Sequence, residues 1–167
     1  MRPAGCRLGR SYGPAGPVYG RKGEITMIQI IAGGKGKGKT KILLDKVNTE
    51  IKTSKGSIVY LDKNTKHMYE LNNKVRLINV KDYCIEVADE FIGFLCGIIS
   101  QDHDLEKVYL DSFLNIACIE GKDIDPATVL DKIDTISAKF NVDFIISISL
   151  DKDQLADSLK EKVIVAL

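Results

Sequence analysis

The chain has 167 residues, a formal net charge of +1 and 44% hydrophobic residues. That length suits one domain with a substantial core, and so even a charge balance argues against bulk electrostatic attachment to nucleic acid or an anionic membrane. The longest strongly apolar run, Phe91 to Ile99, is far short of the ~20 residues a membrane-spanning helix needs. Cys6, Cys84, Cys96 and Cys118 form no CxxC or Cys/His cluster, so neither a zinc site nor a redox motif is indicated, and they read as reduced thiols of a cytoplasmic protein.

Residues 1–26 differ in kind from the rest. They hold three of the four prolines and four of the five arginines, without periodic apolar residues or the apolar core of a signal peptide. Arg21-Lys22-Gly23-Glu24 can be encoded by a purine-rich stretch resembling a bacterial ribosome-binding site, and it ends two codons before Met27. Residues 1–26 are therefore expected to be a disordered, non-native leader and Met27 the true start. N-terminal sequencing of the protein from its native host is expected to begin at Met27; a mature start at Met1 overturns this.

From Met27 the pattern alternates strands and helices, which predicts an α/β fold with a largely parallel sheet of five or six strands between helical layers. Met27 to Ala32 is an isoleucine-rich run of strand length. It feeds Gly33-Gly34-Lys35-Gly36-Lys37-Gly38-Lys39-Thr40, after which Lys41-Ile42-Leu43-Leu44 opens a helix expected over Gly38 to Thr53. This strand, glycine-rich turn and helix N-terminus is the context in which G-x-x-x-x-G-K-[ST] binds phosphate. The glycines let backbone N–H groups point inward at an anion, and the helix end adds partial positive charge there. Lys39 would reach the β- and γ-phosphates, and the Thr40 hydroxyl would take one Mg²⁺ position. Lys35, Lys37 and Lys41 are either further phosphate or partner contacts or solvated lysines.

Beyond the helix, Ser57 to Asp62 reads as strand 2, Lys63 to Asn73 as a polar loop or short helix, and Val75 to Val80 as strand 3. Asp82 is expected to cap a helix over Tyr83 to Ser100, buried on most faces from Phe91 to Ile99 or used as a subunit contact. Lys107 to Asp111 is strand 4. Asp125-Pro126 starts a helix to about Phe140. Asp143 to Leu150 is strand 5, Asp151 or Asp153 caps a short helix to Lys160, and Lys162 to Leu167 closes as a strand.

At Gly33 to Thr40 the chain resembles the P-loop NTPases, with these residues as their Walker A motif. The superfamily also needs a carboxylate for Mg²⁺ at the end of an apolar strand. Val108-Tyr109-Leu110-Asp111 and Ile58-Val59-Tyr60-Leu61-Asp62 both fit. Asp111 is preferred, because in the RecA-like division that strand follows an intervening one, which leaves Asp62 at the rim. A further strand then carries a polar sensor, here Ser147 or Ser149. The resemblance implies ATP and Mg²⁺ as ligands, and nucleotide hydrolysis.

Departures qualify that implication. RecA-like ATPases carry a glutamate after the Walker B aspartate to orient the attacking water; here the position is Ser112, and Glu70, Glu86 or Glu90 would have to substitute. Arg76, the only arginine after Met27, is a finger candidate or a surface residue. His67 and His103 belong to no sequence motif with metal-ligand spacing and read as polar surface histidines. Asp111-Ser112-Phe113-Leu114 lacks the glycine of the GTPase D-x-x-G and no N-K-x-D occurs, which favours ATP.

The body is also similar to short clostridial P-loop proteins labelled twitching-motility ATPases, but the acidic and histidine boxes of true pilus motors are not found in these residues, which do not support a pilus motor. The resulting expectation is a slow or partner-stimulated ATPase, alone, as a homo-oligomer or with a protein partner. The alternatives are a nucleoside-type kinase and a non-catalytic nucleotide-dependent binding module. No specific nucleic-acid motif is present.

Overall fold

The computed structural model describes residues 28–167. The expected leader, residues 1–26, and Met27 lie outside them. The described chain builds six strands: β1 (Ile28–Ala32), β2 (Ser57–Asp62), β3 (Arg76–Asn79), β4 (Leu105–Leu110), β5 (Asp143–Ile148) and β6 (Val163–Ala166). They form one sheet in the order β3-β2-β4-β5-β1-β6, with every neighbouring pair parallel. Five helices accompany them: α1 (Lys39–Glu50), α2 (Ala88–Gln101), α3 (Phe113–Ile116), α4 (Pro126–Phe140) and α5 (Asp157–Lys160). The α/β class and the parallel sheet agree with the expectation from sequence.

A strand's side chains alternate between faces, so a sheet covered on both sides needs apolar residues at every step. Val59 and Leu61 of β2 and Val108 and Leu110 of β4 face the larger core, made with Phe91, Leu95 and Ile99 of α2 and Leu130 and Ile133 of α4. Ile58, Tyr60 and Tyr109 face the other way, against Leu43, Leu44 and Val47 of α1. Three layers result, with α1 on one face and α2 to α5 on the other. A register irregularity between Ile30 and Ile31 lets Val163 join the first core and Val165 the second, while Ile164 between them is exposed.

Two expected elements form differently. Val80–Tyr83 is a separate 3₁₀ turn, and α2 starts only at Ala88. Asp82 does not cap α2: its carboxylate accepts from the Asn79 side-chain amide at 2.9 Å, and Cys84 leaves the turn in the left-handed region (φ 55°). Glu90 supplies the α2 cap instead, its carboxylate accepting from the Glu86 and Val87 N–H groups at 2.8 and 3.3 Å. Along α2 Phe91, Leu95 and Ile99 are buried and Ile92, Phe94, Cys96 and Ile98 pack partly buried against the same core, so most faces are covered as expected, while Gly93 and Gly97 are exposed. The short helix expected to run to Lys160 also divides, into a 3₁₀ turn at Lys152–Gln154 headed by Asp151 and the separate α5. Asp125 caps α4 as expected, accepting from Ala127 N–H at 2.9 Å.

Far from the strand ends that carry the glycine loop, Glu50 closes α1 onto the sheet. Tyr109 Oη donates to it, and Lys46 and Lys107 pair with it at 2.7 and 3.1 Å. Burial by itself would raise its pKa, but Lys46, Tyr109 and Lys107 outweigh burial and hold the carboxyl below its ordinary value of 4.5. A carboxylate held low stabilises the fold above the ordinary value and loses that contribution as pH falls through the folded one. Glu50→Gln is therefore expected to cost about 1–3 kcal/mol at pH 7. The gap from wild type should close below pH 4.5 when urea unfolding is repeated down the acid side.

Candidate functional site

All six strands are parallel, so their C-terminal ends share one edge of the sheet, and the chemistry-bearing residues gather there. β1 ends in Ala32 and passes directly into the glycine loop. Gly33 donates its N–H to the Leu150 carbonyl at 2.8 Å, while Leu167 N–H donates to the Ala32 carbonyl at 3.0 Å. A Cβ on Gly33 would stand 3.0 Å from Leu167 Cβ and 3.1 Å from its carbonyl oxygen, so the close approach of the chain after β6 requires glycine. At the far end Gly38 precedes α1 in the left-handed region (φ 91°), which places Lys39 and Thr40 in the first helical turn.

Lys39 is the one buried lysine of this loop; Lys35, Lys37 and Lys41 are exposed. Its ammonium donates to the Gly34 carbonyl at 2.8 Å. Burial lowers its pKa, and the Asp111 and Asp151 carboxylates oppose that effect without cancelling it.

Asp111 follows β4 and is buried. Its Oδ1 accepts from Thr40 Oγ1 at 3.2 Å, Ser147 Oγ at 2.6 Å and Ser112 N–H at 2.8 Å. Its Oδ2 accepts from Tyr60 Oη at 2.9 Å. Burial, then the Asp111 charge, push the Tyr60 phenol far above its ordinary pKa, which keeps it a donor. Ser147 on β5 also accepts from Ser112 N–H at 2.9 Å, so it bridges the two strands.

Asp62 ends β2 on the same edge. It is not at the rim as expected but buried, with Oδ1 accepting from Lys63 N–H at 2.6 Å. Burial first and the charge of Asp111 second raise its pKa.

These residues border a cleft of about 560 Å³. Lys35, Gly36, Gly38, Lys39, Thr40, Asp111, Ser147 and Ser149 line it, as do Ser112, Lys63, His67, Leu114, Asn115 and Glu120. Of the other loop residues proposed from sequence, Gly33 is buried under Leu167, Gly34 supplies its carbonyl to Lys39, and Lys37 is exposed. Lys41 lines a neighbouring cavity of about 390 Å³, together with Thr40, Leu44, Asp45, Asn48, His67 and Glu70.

Arg76 and His103 lie away from the cleft. Arg76 is exposed at the N-terminal end of the edge strand β3, and His103 precedes β4. Glu86 and Glu90 belong to the α2 cap. Glu120, which sequence reasoning missed, enters the cleft from the segment after α3. It pairs with Lys35 at 2.5 Å and accepts from the Asn115 amide at 2.8 Å, and these two contacts hold its pKa below the ordinary value. Nothing in the spacing of Lys63, Asn115 or Glu120 marks them in the sequence; only the strand order brings them to Lys39.

No model of a known protein family matches this chain, and no curated protein sequence does either. Chemically, the cleft combines the cations Lys35, Lys39 and Lys63 with a helix N-terminus, which suits a polyanion. Hard oxygen donors, the Thr40 hydroxyl and the Asp111 carboxylate, meet at one point and fit Mg²⁺, which binds through one or two carboxylates, water and substrate phosphates. Among the described residues no group of three or more His, Cys, Asp or Glu is arranged to hold a metal. None of the described helices is long and apolar enough to cross a membrane.

Tyr60→Phe removes one of four donors from a buried carboxylate without changing the ring. It is expected to lower unfolding stability by about 1–3 kcal/mol, measured in urea at pH 7. Tyr60→Phe with Asp111→Asn should cost less than the sum of the two single changes, since they share one interaction.

Proposed function

We propose that this chain is an ATP-binding protein of the P-loop type, belonging with the RecA-like division, that holds Mg²⁺·ATP and hydrolyses it slowly or on stimulation by a partner. The observation that carries the reading is the meeting of Lys39, Thr40, Asp111 and Ser147 at one point, from a glycine loop and two separate strands. The strand order adds to it: β5, which carries Ser147, lies between β1, which leads into the loop, and β4, which leads to Asp111. β5 is also the strand that follows β4 in the chain, where the resemblance to the RecA-like division puts a polar sensor.

In this reading the loop N–H groups and Lys39 bind the β- and γ-phosphates and neutralise charge as the terminal phosphoryl group leaves. Thr40 would ligate Mg²⁺ directly and Asp111 through water. Bound there, the ion would draw charge from the phosphate oxygens. Tyr60 and Ser147 keep the Asp111 carboxylate oriented, and Ser147 with Ser149 present hydroxyls to the γ-phosphate end. Ser112, in the glutamate position, cannot act as a carboxylate base, so another residue or a partner would have to activate the attacking water. The compartment in this reading is the cytoplasm, and a homo-oligomer or protein partner would supply stimulation.

A second reading, phosphoryl transfer to the hydroxyl of a small molecule of nucleoside type, draws on the 390 Å³ cavity that meets the cleft at Thr40 and His67 and offers room for an acceptor.

Phosphate release from Mg²⁺·ATP by wild type and Lys39→Ala, with nucleotide affinity measured alongside, tests the proposal. Steady release that falls by roughly 100-fold or more in Lys39→Ala is the expected result. Binding without release, with label transferred to an added nucleoside, would favour the kinase. Binding with neither would leave a nucleotide-dependent binding module, and no binding would overturn the reading.

A further inference from the structure

Of the acids in or near the cleft, and of those considered from sequence as substitutes for the missing glutamate, most are committed. Glu86 and Glu90 shape the start of α2. Asp62 accepts from Lys63 N–H, and Asp111 has both oxygens occupied by donors. Glu120 lines the cleft yet is tied to Lys35 and Asn115, which makes it a weak proton acceptor.

His67 stands in a different relation to the site. It borders both the 560 Å³ cleft and the 390 Å³ cavity, and so does Thr40, so these two residues mark the junction. Its Nδ1 lies 2.7 Å from Glu70 Oε1. A carboxylate accepts, so Nδ1 carries the proton and Nε2 is left to accept one in the neutral ring. The pair sits on a turn in which Glu70 N–H donates to the His67 carbonyl at 3.0 Å. That turn is braced on α1: the Asn48 amide donates to the Glu70 carbonyl at 2.7 Å and itself accepts from Asn72 N–H at 2.8 Å. The helix that presents Lys39 and Thr40 therefore also braces the turn that carries His67 and Glu70.

We infer that His67, oriented by Glu70, is the general base for nucleotide hydrolysis in this protein, in place of the carboxylate missing at Ser112. The inference rests on the nucleotide-hydrolysing reading of the cleft. A water at the junction gives a proton to His67 Nε2 while its oxygen forms the new bond to the γ-phosphorus. The bond from that phosphorus to the β–γ bridging oxygen breaks, and the electron pair leaves on ADP. The imidazolium is stabilised by the Glu70 carboxylate and returns its proton to solvent. His67 is the catalytic residue of this pair and Glu70 the positioning one. A base placed this way contributes about 10²–10⁴-fold to rate.

The test uses the full chain and three readouts: Mg²⁺·ATP affinity, steady phosphate release, and affinity for ADP–aluminium fluoride relative to ADP, which needs no turnover. His67→Gln and His67→Asn are expected to lower release by roughly 100-fold or more and to erase the preference for the transition-state mimic. Mg²⁺·ATP affinity and thermal unfolding should match wild type. Glu70→Gln should lower kcat about tenfold at unchanged KM, which a merely structural role would not do. Retained release in both folded His67 variants, or a loss confined to Glu120→Gln, overturns the assignment. A wild type that binds Mg²⁺·ATP but neither releases phosphate nor prefers the mimic overturns it and leaves nucleotide binding standing. A wild type that binds no nucleotide overturns both.

Discussion

A carboxylate buried at the end of a strand is costly unless donors surround it, and Asp111 is surrounded by four. Each donor comes from a different part of the fold: Tyr60 from β2, Ser147 from β5, Thr40 from α1 and the Ser112 N–H from the turn that follows β4. Satisfying this single group fixes the relative positions of three adjacent strands and of the helix behind the glycine loop. The cleft inherits its geometry from that requirement. Lys39 is held near the same charge, and its lowered pKa records the balance between burial and the pull of Asp111 and Asp151.

Two tyrosines show how the sheet serves both ends of the molecule. Tyr60 and Tyr109 are partners across β2 and β4, stacked with ring centroids 6.1 Å apart, and both face α1. Their hydroxyls diverge. Tyr60 Oη reaches the Asp111 carboxylate at the cleft edge, whereas Tyr109 Oη reaches Glu50 at the opposite end of α1. One helix is thus tied to the sheet at its N-terminus through Thr40 and at its C-terminus through Glu50. That double attachment keeps α1 in register with the strands beneath it.

The helix after β3 was the poorest match to expectation, and the reason is local competition between caps. Asp82 has the residue type and position of a cap, but Asn79 engages its carboxylate first, and Cys84 turns the chain in the left-handed region before a helix can begin. Glu90 then reaches back to the Glu86 and Val87 N–H groups and starts α2 later. Propensity named a plausible cap; side-chain contacts within six residues chose another.

The amino-acid sequence by itself determined the α/β class, the parallel strands and the loop from Gly33 to Thr40. Those features rest on short-range physics: continuous apolar runs bury strands on both faces, and glycines permit the backbone angles of the loop. Asp111 and Ser147 were also legible, because each sits at or near the end of an apolar run. The tertiary structure alone shows that, of Asp111 and Asp62, it is Asp111 whose carboxylate meets Thr40, while Asp62 is buried beside it. It also decided the company of the cleft. Lys63, His67 and Glu120 come from turns and Asn115 from the short helix α3, at spacings that carry no signal, and they converge because six parallel strands end on one edge.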